Sequence, residues 1–186
     1  MYAIRFIGIF STVLLMSCHQ SLPEPKSREE LINYVNTVTN GLIQQVQLDD
    51  FIVTAVYQPK GLAPKCAACD EYSYFIVKIK HADARKHDQF LDSHAFPESI
   101  ETFAFRMGDY VKLIAANDTI APADYTFQRT FGLDNQGSFL FVFPSKPIES
   151  VKKVSLLVKS NGLITNDVSL DFNTKDLLNT QHFILQ

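Results

Sequence analysis

The sequence predicts a mainly β chain, an antiparallel β-sandwich of seven to eight strands with one N-terminal helix. Three observations predict it. Fifteen Phe and seven Tyr, with no Trp and a charged fraction of 20%, describe a globular chain rich in β-formers rather than a disordered one. From Asp50 onward, apolar residues recur at every second position in a succession of short runs. Turn-forming residues such as Pro59 with Gly61, Gly108-Asp109, Asn117-Asp118 and Asn161-Gly162 separate those runs at regular spacing.

Taken in order, the chain begins with Arg5 as a single positive charge, an eleven-residue apolar run from Phe6 to Met16, and a small Ser17 before Cys18. This is the layout of a secretory signal. The run is well short of the roughly 20 apolar residues needed to span a bilayer. Residues 1–17 resemble the type II signal peptide of bacterial lipoproteins. The resemblance implies that Leu15, Met16 and Ser17 are read by the lipoprotein signal peptidase and that Cys18 becomes the diacylated first residue of the mature protein. Met16 departs from the small or hydroxylated residue usual in that slot. Acyl chains at about 0.8 kcal/mol per buried methylene hold a protein on a membrane without a transmembrane helix. The address expected from this resemblance is the cell envelope, with the outer membrane preferred over the inner. The lipid on Cys18 is the one covalent group expected, with no further cofactor.

Removal of residues 1–17 leaves 169 residues, the size of one domain, over 27–186. Arg5 is the only charge removed, so 16 basic residues face 20 acidic ones, a net charge of −4. With no Lys/Arg block, nucleic acid is not an expected partner. Residues 18–26, with two prolines and no apolar period, read as a tether. Ser27-Arg28-Glu29-Glu30 has capping-box spacing and opens an expected helix over about 27–47. Leu31, Tyr34, Val35, Val38, Leu42 and Val46 supply its apolar stripe, with a break expected near Gly41. Asn40-Gly41-Leu42 followed by Tyr57-Gln58-Pro59 resembles a pattern of small uncharacterised bacterial lipoproteins, and implies no activity.

Phe51, Val53, Ala55 and Tyr57 form the first expected strand, and Phe75, Val77 and Ile79 the inward face of the second, with Tyr74, Lys78 and Lys80 outward. Residues 82–99 are polar and His-bearing and read as a long connection. Thr102–Met107 and Tyr110–Ala115 are expected to pair as a hairpin across Gly108-Asp109. Tyr125–Phe131 alternates again, and Phe139–Phe143, apolar on both faces, is the expected central strand. Val154, Leu156 and Val158 then Val168, Leu170 and Phe172 form the last pair, and Phe183-Ile184-Leu185 suits a terminal edge strand. The sum is a sandwich of immunoglobulin-like or transthyretin-like kind.

Three constellations carry candidate chemistry. Cys66 and Cys69, left as an even pair once Cys18 is acylated, are placed to close a small disulfide in an oxidising compartment. A redox role is disfavoured by Asp70 and Glu71, which oppose a thiolate, and zinc would need two further ligands. Tyr72 and Tyr74, beside Lys78 and Lys80, are a candidate ligand-binding platform, unless the N-terminal helix covers that face. His81, Asp83, His87, Asp88 and His94 share the long connection but lack metal-ligand spacing, so no metal site is assigned. No nucleophile elbow, zincin, Walker or dinucleotide pattern is present, and an enzyme is not expected. The expected function is therefore a lipid-anchored envelope binding protein, an accessory or structural subunit with an envelope protein partner. The alternatives are a ligand- or glycan-capture module, or an envelope thiol or metal-binding protein using Cys66 and Cys69.

Overall fold

Period-two alternation is realised as two antiparallel sheets packed face to face. The structure, a computed structural model, describes residues 24–63, 69–83, 97–128, 136–161 and 164–183. In chain order the helices are α1 (Arg28–Asn36), α2 (Pro97–Phe105), α3 (Met107–Tyr110), α4 (Ser145–Glu149) and α5 (Thr174–Leu178). The strands are β1 (Ile43–Leu48), β2 (Phe51–Gln58), β3 (Tyr72–His81), β4 (Val111–Ala115), β5 (Asp118–Ile120), β6 (Asp124–Gln128), β7 (Gly137–Pro144), β8 (Lys153–Val158) and β9 (Val168–Asn173). One sheet runs β1-β2-β3-β7-β6 and the other β5-β4-β8-β9. The nine strands of the described residues exceed the seven or eight expected, and the β-sandwich stands.

The inner faces differ in chemistry. The five-stranded sheet contributes rings: Tyr57, Phe75, Phe141 and Tyr125 lie in one cross-strand row, and Phe139 and Phe127 in the next. The four-stranded sheet answers with aliphatic rows, Leu113-Leu156-Leu170 and Val111-Val158-Val168. Its aromatic exception, Phe172, meets Phe75 edge-on with centroids 5.4 Å apart. Phe75 also touches Tyr57 and Phe143, so one fully buried ring joins both sheets.

Ser27 caps α1 as its spacing predicts, accepting from the Glu30 amide at 3.1 Å. The reciprocal arm differs, since the Glu30 carboxylate accepts from the Lys26 amide at 2.7 Å. The expected helix over 27–47 is too long. It ends at Asn36, because β-branched Thr37, Val38 and Thr39 disfavour further α-helix; the Tyr34 carbonyl accepts from the Thr37 amide at 3.2 Å and from the Asn40 side chain at 2.7 Å, and a 3-10 turn, Val38–Asn40, follows. Gly41, at φ +73°, then reverses the chain, and Val46 belongs to β1. The tight turn at Asp49-Asp50 sets β1 antiparallel to β2, with Asp49 at φ 48°.

A second correction concerns residues 102–107. Phe103, Phe105 and Met107 alternate, yet Phe103 and Met107 are buried while Phe105 is 78% exposed, which is the i, i+4 period of a helix. Phe103 packs on Phe127 and Phe139, so α2 covers part of the five-stranded sheet's inner face. β4 pairs instead with β5 and β8. β7 is an interior strand as its two apolar faces predict, although the middle place belongs to β3. Phe183 is not in a strand; it is buried against Tyr34 at 5.3 Å, and residues 184–186 lie outside the described residues.

Candidate functional site

The outer faces of the two sheets separate the site from the scaffold. On the four-stranded sheet the outward positions are mostly polar, and Lys153 pairs with Asp171 at 2.7 Å. The Lys153 hydrogen bond, helped by Ser155, holds the Asp171 carboxyl below the usual carboxylate range. On the five-stranded sheet the register places Ile43, Val56, Ile76 and Leu140 side by side across four strands, all half-buried. Such a row on an outward face needs a cover or a partner.

α1 covers one part of it. Leu31 and Val35 turn into the core, and the flank of the helix stands off the sheet. A groove of about 220 Å³ remains between them. Val35, Val56, Leu62 and Ile76 line its apolar part, and Ile32, 40% exposed, stands at its mouth. Arg28, Asn36, Gln58 and Lys78 supply the polar lining. The Gln58 amide donates to the Leu62 carbonyl at 2.7 Å, which ties the short turn Lys60–Leu62 to β2 as one wall. Arg28 and Lys78 form no ion pair among the described residues, so two cations flank an apolar recess.

The residues singled out by the sequence lie elsewhere. Cys18 and Cys66 are outside the described residues, as are His87, Asp88 and His94 of the long connection. Cys69 opens a short 3-10 turn, Cys69–Glu71, whose Asp70 carbonyl accepts from Lys60 at 3.1 Å. Tyr72 and Tyr74 follow on the outward parity of β3, but Tyr74 is only 4% exposed and its hydroxyl points to the Cys69 carbonyl at 3.5 Å. Burial, followed by the neighbouring Tyr72 and Asp70, raises its pKa above the ordinary phenol value. Tyr74 is therefore a covered residue rather than an open stacking platform, and neither tyrosine lines the groove. His81 is likewise buried, edge-on to Phe51 at 5.3 Å, and its Nδ1 accepts from the Asp83 amide at 3.0 Å. Among the described residues, no three His, Cys, Asp or Glu side chains gather as metal ligands.

A polar cluster does form inside the sandwich. The hydroxyls of Ser73 and Ser145 are 2.9 Å apart and buried. The Tyr57 hydroxyl bonds to Ser73 and Gln181; burial raises its pKa, and those bonds partly oppose the rise. This cluster satisfies buried polar atoms and faces the core, so it is structural.

Sequence reasoning missed Ile32, Val56, Leu62 and Ile76. A signal existed: Val56 and Ile76 sit on the outward parity of strands whose other outward residues include Thr54, Gln58 and Lys78. Only the register, which makes Val56 and Ile76 direct neighbours, turns two scattered residues into a surface. No family model matches this chain, and no curated protein or solved structure is significantly similar to it.

Proposed function

We propose that this is a lipid-anchored envelope binding protein, acting as an accessory or structural subunit of an envelope assembly and held to the membrane through lipid on Cys18. The observation that carries the reading is the arrangement of the N-terminal end. An apolar run stops at Cys18, residues 18–26 follow, and Ser27 caps the first helix of the domain. Nine residues at full extension reach about 30 Å, so a domain tethered this way stays close to the surface that holds it.

Binding rather than chemistry is the proposed activity, with no cofactor beyond the lipid and the outer membrane preferred over the inner. The same reading takes Cys66 and Cys69 as a small structural disulfide formed after export. It is supported by the even pair of cysteines that remains once Cys18 is acylated. A loop so short gains only about 2 kcal/mol in the chain-entropy model, enough to stiffen the link between β2 and β3 without deciding the fold.

Cys18→Ala tests the anchor. The variant is expected to move from the membrane to the soluble fraction and to lose metabolic label from a fatty acid. A variant that stays on the membrane and keeps the label overturns the proposal.

A further inference from the structure

We propose that the groove between α1 and the outer face of β2–β3 binds a segment of an envelope protein partner that carries an aliphatic or aromatic anchor residue flanked by carboxylates. The inference rests on the envelope-subunit reading and names the chemistry of its partner.

Size selects the anchor. A groove of about 220 Å³ exceeds the roughly 150 Å³ that admits a benzene ring, so one large side chain fits. It is smaller than the roughly 300–1,000 Å³ of pockets that enclose a free small molecule, which favours a macromolecule that brings further contacts outside it. Lining selects an apolar residue, since Val35, Val56, Leu62 and Ile76 offer no hydrogen bond from their side chains.

Charge selects the flanks. Arg28 and Lys78 line the groove on a chain of net charge −3, and neither has an anionic partner among the described residues. Carboxylates beside the anchor complement both cations, Arg28 by a bidentate bond and Lys78 as a point charge. Such rim contacts set partner choice and orientation, while the buried anchor supplies most of the affinity.

Ile32→p-benzoylphenylalanine, introduced into the full chain in the cells that produce it, places a photo-crosslinker at the groove mouth. The expected adduct maps, by mass spectrometry, to a segment of another protein with an apolar residue beside Asp or Glu. The same crosslinker at Val38, 71% exposed and outside the groove, is expected to miss that segment. Adding Arg28→Glu and Lys78→Glu should lower the adduct yield about tenfold, while Arg28→Lys and Lys78→Arg should retain most of it. An adduct on lipid, on this chain or on a segment without carboxylates overturns the proposal. So does the absence of an adduct, or a yield indifferent to charge reversal. Failure of Cys18→Ala to release the protein would instead remove the anchored reading, and the groove adduct is scored independently of it.

Discussion

The two outward faces of the sandwich obey the same alternation and end in opposite surfaces. On the four-stranded sheet, Ser155, Ser169 and Asp171 interrupt Ile114 and Leu157, and Lys153 with Asp171 crosses the strands as an exposed ion pair. On the five-stranded sheet, Ile43, Val56, Ile76 and Leu140 line up without interruption. Isolated apolar side chains on a wet face need no explanation, whereas an aligned row beside a helix and two cations is a surface built to be covered. Register, not composition, makes the difference.

Phe75→Ala marks the largest effect, because this ring fills the space between the sheets. A loss of about 3–5 kcal/mol is expected in urea denaturation, setting the scale for the outward positions. Gly41→Ala, near Lys153 and Asp171, should cost about 1–3 kcal/mol, since the residue sits at φ +73° and a Cβ would meet the Asp176 carboxylate at 2.7 Å. Asp176→Ala in the same chain should recover the steric part and leave the backbone part, which a double-mutant cycle reads directly. Ile76→Ala in the aliphatic row should cost about 1–2 kcal/mol, and Leu157→Ala, flanked by Lys112 and Ser169, less than about 1 kcal/mol. Equal costs would erase the distinction between the faces.

The ion pair on the polar face is a smaller effect with a defined sign. Lys153 depresses the Asp171 pKa in the folded state, so the pair's stabilisation is present above the unfolded carboxylate pKa of about 4. It is lost as pH falls through the lower folded value. Asp171→Asn should therefore flatten the acid limb of stability against pH below about 4 by less than 1 kcal/mol, because both side chains are about half exposed. The smallest change belongs to Arg28→Glu with Lys78→Glu, expected to shift stability by no more than about 0.5 kcal/mol. A larger loss in thermal melts would assign those cations to the fold.

Much of the scaffold was legible in sequence because one face of each strand is buried and parity records it. Val53, Ala55 and Tyr57, then Phe75, Val77 and Ile79, needed no structure to be placed inward. Two elements misled for the same reason. Phe103 and Met107 are compatible with a period of two or of four, and only the exposed Phe105 between them decides for the helix. Val46 continues the stripe of α1 in sequence but is claimed by pairing with Val53. Such pairings join distant segments, and no local pattern encodes them. The groove was hidden for this cause, since it joins a helix flank, a turn and two strands. Tyr74 lies outward as parity predicts, but parity says nothing about what lies over a residue, so the choice between an open platform and a covered face stayed open in the sequence.

Gly41 against Asp176, Tyr34 against Phe183 and β1 beside β9 have one consequence for how the molecule comes into being. α1 and β1 find their neighbours in β9, α5 and the segment that follows them. Ring closure over so much chain makes such contacts slow to form, so the domain is completed only when β9, α5 and the segment carrying Phe183 have joined it. Until Phe172 arrives with β9, Phe75 of β3 lacks part of its cover, and in that interval the chain is most exposed to aggregation and proteolysis.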